Sequence, residues 1–429
     1  MPYHNSLKSK SVNDTIGQRN NMKAKIKCTK FSCKRDNLTI RGFSFFDKLN
    51  EGELNKGKKL TPVIISHAYM KTHKSAANYA RVLAEKGYAA FTFDFCGGSA
   101  KSKSDGASTE MSVLTEMQDL NAVVEYVSSL DYVDSNELVL MGLGLGGLVT
   151  ALFVSRIKPE IKKIILLYPT LSAPEDARSG QMLTARFDPD NPPEVFDCGP
   201  MKLGRRYVKD AQPIDVIKEL EKYSGAVCII HGDKDSMVDT QYSKDAVQIY
   251  RQNSKNKADV LNKQLYIING GTHGFNRMHE YYTMNIVEQF LQNRFQLMTV
   301  KVQLKDNKVS KQNGIKTEEA SFTGKAEGEF FTGKIQEGAK NIEQWKGRKP
   351  VSLSSDYVIK GSDYTGQRTR IDFKNRSTDG KNWQQEITTD SRALKLLGME
   401  KETCVVMEYR NSGPFMRLFA SLDGVQFVQ

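Results

Sequence analysis

From residue 60 to about 296 the hydrophobic positions fall into two alternating kinds of block. Short unbroken apolar runs come first: "TPVIISHA" (61–68), "AAFTFDF" (89–95), "LVLMG" (138–142), "IKKIILLYP" (161–169), "AVCIIHGD" (226–233) and "KQLYIING" (263–270). Runs of this length without polar alternation read as strands buried on both faces. Between them, residues 75–87, 111–130 and about 146–157 carry apolar residues at helical spacing, the first closed by Gly87. Strands and helices in strict alternation predict a mostly parallel sheet with helices on both sides, an α/β fold.

The pattern breaks twice. Residues 170–212 are rich in Pro, Gly and Asp and hold no period. Loops that long inside a compact domain are usually functional, so this stretch is expected to be a cap insertion over the C-terminal edge of the sheet, where ligands bind in such folds. From residue 297 helical spacing survives only near 391–398. Short aromatic and β-branched runs cut by glycine take over, which predicts a separate all-β, sandwich- or barrel-like domain. The paired "FTGK" at 322–325 and 331–334 reads as two arms of one hairpin. The expected division is a basic extension (1–35), an α/β domain (36–296) and a β-domain (297–429).

Composition changes this picture little. Of 429 residues, 39% are hydrophobic and 26% charged, as in ordinary globular proteins. No run of 18 apolar residues exists, so no membrane span is expected. The first 30 residues have no apolar core of a secretory signal, which points to the cytoplasm. The six cysteines, Cys28, Cys33, Cys96, Cys198, Cys228 and Cys404, form no C-x-x-C pair and are expected to be free thiols. Cys28 and Cys33 alone cannot build a zinc site, and neither a metal nor a cofactor is expected. The net charge of +12 is uneven: residues 1–35 hold nine Lys/Arg against Asp14 alone. With no nucleic-acid module beside it, this head reads as a solvated, partly disordered extension rather than a nucleic-acid arm. Salt-sensitive binding lost on deleting residues 1–35 would identify the arm.

The candidate chemistry lies at strand ends. "SHAYMKTH" (66–73), the glycine corner of "LVLMGLGLGGLVTALF" (138–153), "HGDKDSMVD" (231–239) and "NGGTHGF" (269–275) all follow strands, so they gather on one edge of the sheet. Acyl transfer by serine needs a nucleophile, a histidine base, a carboxylate to orient it and N–H donors for the oxyanion. In hydrolases built on such a sheet these parts come in this order, with the serine at the centre of G-x-S-x-G. Here that central residue is Gly144. Gly142, Gly144 and Gly147 also spell G-x-G-x-x-G, a dinucleotide fingerprint. That fingerprint opens the first βαβ unit and needs an acid at the tip of the next strand. This corner comes late, and the next strand ends "LLYPT", with Glu160 lying before it.

Residues 35–296 resemble the α/β-hydrolase family, and within it bacterial cinnamoyl/feruloyl-type carboxylesterases. The matching text is "FDFCGGSAKSKSDG" (93–106), "MSVLTEMQDLNAVVEYV" (111–127), "DYVDSNELVLMG" (131–142), "FDPDNPPE" (187–194), "HGDKDSMV" (231–238) and "GGTHGF" (270–275). The resemblance implies an acid at Asp235, a base at His273, oxyanion donors at the N–H groups of Tyr69 and Leu145, and a nucleophile position at Gly144. Glycine has no Oγ, so no acyl-enzyme can form there. Asp233 competes with Asp235 for the acid position. His67 is expected to shape the oxyanion loop, and His4, His73 and His279 to be incidental. Ser66, Ser99, Ser102 and Ser104 lie on no strand-to-helix corner and make poor substitute nucleophiles.

In the C-terminal part, "FTGKAEGEFFTGKI" (322–335), "SSDYVIKGSDYTGQRTRI" (354–371) and "TDSRALKLL" (389–397) resemble small bacterial β-barrel proteins of unknown function. Glu327, Glu329 and Tyr364 could line a barrel mouth, or could simply follow strand-face alternation. Two functional readings result. One is a hydrolase scaffold for small aromatic carboxylic esters, inactive or nearly so with Gly144 in the nucleophile position. The other is a pseudo-hydrolase that binds a ligand or a partner. A homo-oligomer is compatible with either.

Overall fold

The computed structural model describes residues 25–50, 57–158, 160–379, 383–401, 403–410 and 413–428. Most of the basic head, His4 included, lies outside the described residues. The chain divides between Val287 and Glu288 into two compact units.

The first unit is built on an eight-stranded sheet. Its strands are β1 (Ile26–Arg35), β2 (Leu38–Asp47), β3 (Pro62–Ser66), β4 (Ala89–Phe93), β5 (Val139–Leu143), β6 (Lys163–Leu167), β7 (Ala226–Gly232) and β8 (Lys263–Ile268), in the spatial order 1-2-4-3-5-6-7-8. From β4 to β8 every pairing is parallel. β3, β4 and β5 are buried along their whole length, which is why their sequences show no polar alternation. Five longer helices flank the sheet: α1 (His73–Glu85), α2 (Val113–Ser128), α3 (Leu145–Arg156), α4 (Thr240–Gln252) and α5 (Arg277–Leu291). Each start has a local cause. Thr72 caps α1, Asp239 caps α4, and Ser112 and Thr115 form a reciprocal capping box on α2. α3 is apolar on every side and buried from Leu145 to Ser155, as a helix wedged into the core must be.

Two expectations need correction here. Residues 26–35 are not a solvated extension. They pair along their full length with β2 through a tight turn in which Asp36 takes φ 52°. Phe31 stacks on Tyr126 at 5.0 Å, and Arg35 Nε meets the buried Asp119 carboxylate at 2.6 Å. The strand escaped notice because it is an edge strand with mostly exposed residues, so its sequence is lysine-rich rather than apolar. The 170–212 insertion also has regular structure. It holds two short helices, Ala173–Ser179 and Arg205–Ala211, and two small hairpins, Gln181–Met182 with Ala185–Arg186 and Val195–Cys198 with Met201–Gly204. Segments of two to seven residues are too short to establish a period.

The second unit is an antiparallel sheet of nine strands: β9 (Arg294–Gln312), β10 (Ile315–Glu327), β11 (Phe331–Ile335), β12 (Lys340–Lys346), β13 (Lys349–Asp363), β14 (Arg368–Ser377), β15 (Gln384–Thr389), β16 (Cys404–Arg410) and β17 (Gly413–Ser421). The order is 15-14-13-11-10-9-17-16, with β12 pairing both β10 and β13. The two "FTGK" segments are indeed opposed arms, with Lys325 facing Lys334. Tyr357 Oη on β13 donates to Met416 Sδ on β17 at 3.7 Å, although three strands separate them in the sheet. The sheet therefore curls around a shared interior, which Tyr357 and Phe373 fill as a stacked pair at 4.5 Å. Several strands are far longer than the short ones expected, β9 reaching 19 residues. Its outer half is exposed and mostly polar, with Leu304 and Val309 as isolated apolar residues, and gives no hydrophobic periodicity. Glu327 lies at the surface paired with Lys301, while Tyr364 packs edge-on against Phe330 and Phe427.

Candidate active site

The parallel strands of the first unit all end at one edge, so the loops after β3, β5, β6, β7 and β8 share that edge. The corner between β5 and α3 is a single residue, Gly144, with φ 53° and ψ −120°. L-residues rarely adopt that conformation, and glycine adopts it freely. The corner is tight on all sides. A Cβ on Gly146 would meet the carbonyl oxygens of His67 and Ser66 at 2.5 and 2.7 Å, and one on Gly147 would meet Pro169 Cβ at 2.8 Å. These two glycines let α3 start directly against the ends of β3 and β6.

A side chain at position 144 would point at a histidine. A Cβ there would lie 3.4 Å from His273 Nε2, and 2.9 Å from the Ala68 methyl on the other side. His273 Nδ1 in turn lies 2.8 Å from Asp235 Oδ2. A carboxylate oxygen can only accept, so Nδ1 carries the proton and Nε2 presents its lone pair toward residue 144. Position 144, His273 and Asp235 thus lie in one connected line.

Asp235 is held by four donors. Its Oδ2 also accepts from His231 Nε2 at 3.0 Å, and its Oδ1 from the N–H groups of Met237 and Val238 at 2.9 and 3.0 Å. Its side chain is fully buried. Burial alone would push its pKa up; the hydrogen bonds from His231, His273 and Val238 outweigh that and hold it well below the ordinary carboxylate range. His231 is itself buried, and its Nδ1 lies 2.7 Å from Ser243 Oγ on α4. Because Nε2 donates to Asp235, Nδ1 accepts the Ser243 hydroxyl proton. His231 and Ser243 were not singled out in the sequence. The available signal was His231 itself, at the tip of β7 in the same H-G-x-x-D run.

The competing residues sort by their partners. Asp233 accepts from Gly270 N–H and Asn269 Nδ2 and pins the loop after β8, without reaching His273. His67 is buried with both ring nitrogens occupied, Nδ1 on the Ala68 carbonyl and Nε2 accepting from Phe95 N–H. Burial lowers its pKa, which suits a neutral ring that fixes the loop after β3. His73 is not incidental. Its ring Nδ1 and its backbone N–H both meet Asp94 Oδ1, at 2.7 and 2.6 Å, joining the start of α1 to the end of β4. Ser99, Ser102 and Ser104 donate to the backbone carbonyls of Met70, Phe95 and Asp94.

The loop after β3 turns back at Met70, which has φ 60°, and Lys71 N–H closes the turn on the Ala68 carbonyl at 3.0 Å. This places Ala68 against Gly144. The N–H groups of the next residues, Tyr69 and Leu145, have no acceptor among the described residues. The cap insertion reaches this loop, since Tyr69 Oη donates to the Cys198 carbonyl at 3.2 Å. On the far side Tyr168, buried and strained at φ 38°, sets its ring edge-on to His273 at 5.1 Å. Met70 and Tyr168, non-glycine residues held at positive φ, lie in the loops on either side of the corner, and strain of this kind gathers at functional sites.

Comparison with known proteins accords with this geometry. The dienelactone hydrolase family matches residues 53–301. Est1E from Butyrivibrio proteoclasticus with ferulic acid bound is 29% identical, over 61% of this chain and 97% of that one, with a TM-score of 0.52. A second structure of Est1E is 27% identical over the same shares, with a TM-score of 0.51. No curated protein matches. Among the described residues no helix is long and apolar enough to cross a membrane, and all six cysteines are free. The first unit is an ester-hydrolase scaffold whose expected ligands are small esters, and the chain belongs to the dienelactone hydrolase family.

Proposed function

We propose that the chain is a hydrolase scaffold for aromatic carboxylic esters of the feruloyl or cinnamoyl kind, nearly inactive because residue 144 supplies no nucleophile. In this reading His273 is the base, Asp235 orients and charges its partner, and the N–H groups of Tyr69 and Leu145 form the oxyanion hole. The observation that carries the proposal is the alignment of position 144 with His273 Nε2, whose opposite nitrogen is engaged by Asp235. The aromatic acyl preference rests on the likeness to Est1E, which holds ferulic acid, and on the cap insertion that meets the Tyr69 loop.

Removing the serine from a triad lowers turnover by about 10⁶, while roughly 10³ over water survives from the oxyanion hole and binding. The test is Gly144→Ser. That variant is expected to turn over p-nitrophenyl acetate and methyl ferulate several orders of magnitude faster than the parent and to take a fluorophosphonate label, which the parent does not. A folded serine variant that neither labels nor turns over would contradict the proposal.

One observation favours the second reading, a pseudo-hydrolase that binds without reacting. The Ala68 methyl lies 2.9 Å from where a Cβ would sit, closer than ordinary carbon contacts, so the site is packed around glycine. Micromolar binding of ferulate by the parent, together with a dead Gly144→Ser variant, would select this reading.

A further inference from the structure

The site retains every group of a general-base reaction except the one that would become acylated. The geometry points to a direct route: a water molecule, seated between Gly144 and His273 Nε2, attacks the ester carbonyl in one displacement without an acyl-enzyme. This inference rests on the ester-site reading above and adds a mechanism that needs no residue the chain lacks.

The argument starts from the proton. His273 Nδ1 is committed to Asp235, so Nε2 is the ring nitrogen left to act as acceptor. Its lone pair faces the side of Gly144 on which any side chain would project, 3.4 Å from the first atom of one. Glycine puts no side-chain atom of its own between residue 144 and Nε2, so a water oxygen bonded to Nε2 meets no side chain of residue 144. The imidazoles of His67 and His231 on this edge cannot compete as bases: both nitrogens of His67 are occupied by the backbone, and those of His231 by Asp235 and Ser243. Nor can Ser99, Ser102 or Ser104, whose hydroxyls are spent on carbonyls.

The step balances without a further reactant. The water gives one proton to His273 Nε2 as its oxygen bonds to the acyl carbon. The carbonyl oxygen becomes an oxyanion facing the free N–H groups of Tyr69 and Leu145. The tetrahedral adduct then collapses, the bond to the leaving oxygen breaks, and the imidazolium returns its proton to that oxygen. Acid and alcohol leave, and His273 is neutral again. Asp235, kept ionised by its donors, stabilises the imidazolium between the two steps. Water is a poorer nucleophile than an activated serine, so substrates with good leaving groups, aryl esters above all, are the class this route takes.

The test compares p-nitrophenyl acetate hydrolysis by the full chain, His273→Gln and Gly144→Ser. General-base catalysis contributes about 10²–10⁴-fold, so the parent should exceed His273→Gln by at least about 10²-fold. Its progress curves should show no burst, and intact mass after a rapid quench should show no acetyl adduct. Equal thermal melting of parent and His273→Gln excludes unfolding as the cause; should the variant melt early, added imidazole raising its rate above the same imidazole without protein, without restoring its melting temperature, gives the same answer. A parent no faster than His273→Gln overturns the water route, as does an acetyl adduct on the parent. If the route fails while Gly144→Ser acylates and turns over, the ester-site reading stands alone. If Gly144→Ser is also inert, both fall.

Discussion

Restoring the serine has a steric consequence that can be measured apart from activity. A Cβ at residue 144 would stand 2.9 Å from the Ala68 methyl, where carbon atoms prefer about 3.5–4.0 Å. The methyl sits directly on the backbone of a loop held by His67, Met70 and Lys71, so it cannot rotate away. Overpacking of this kind costs about 1–3 kcal/mol, and a non-glycine residue in left-handed backbone adds about 1–2 kcal/mol. Gly144→Ser should therefore lose roughly 2–5 kcal/mol of stability. Ala68→Gly removes the clash but not the backbone strain. Urea denaturation of parent, both single variants and the double variant closes a double-mutant cycle. The expected coupling is about 1–3 kcal/mol in favour of the double variant, which should also be the more active serine form. Additivity within about 0.5 kcal/mol would refute the steric reasoning and place residues 68 and 144 out of contact.

Three other outcomes are expected. Asp235 has a lowered pKa in the fold, so its contribution to stability is present above the free-carboxylate value of 3.8 and is lost as pH falls through the folded value. Asp235→Asn should weaken the acid-side fall in stability, seen in melting temperatures between about pH 2 and 5, and an unchanged slope would count against its hydrogen-bonded anchoring. Arg35→Met strands the buried Asp119 carboxylate, 2.6 Å from Arg35 Nε, and should cost about 3–5 kcal/mol; a loss below 1 kcal/mol in chemical denaturation would return residues 26–35 to the status of a loose arm. Gly146→Ala drives a methyl to 2.5 Å from the His67 carbonyl and should lower soluble yield and melting temperature more than Ala68→Gly does. Equal melting temperatures would show that the corner can relax.

Legibility in the sequence followed burial. β3, β4 and β5 were plain because both faces are covered and the text is unbroken. β1 was not, because an exposed edge strand is written in lysine and threonine, with Phe31 its one fully inward residue. The turn at Asp36 and Asn37 was the signal that could have found it. Asp235 and His273 were legible as a pair because each follows a strand end in a short motif. His231 and Tyr168 were hidden by the same motifs, since each ends an apolar run and reads as part of a strand. Their contacts, to Asp235 and to the His273 ring, exist only once β6, β7 and β8 lie side by side. Ser243 lies one helix away in sequence, and no local pattern links it to His231. In the second unit the hairpin of the two "FTGK" segments was readable from repetition. The outer half of β9 was not, being exposed and mostly polar, with isolated Leu304 and Val309 too sparse to form a period.

The donors around Asp235 come from the tip of β7, the turn at 237–238 and the loop after β8. That carboxylate therefore fastens three separate stretches of chain and would be missed by the fold even if no ester ever arrived. Selection for a protein that merely stays folded is enough to keep an aspartate–histidine couple in register. An aspartate–histidine couple of this kind is therefore expected in this fold whatever residue stands at the corner, because each partner also anchors a separate loop.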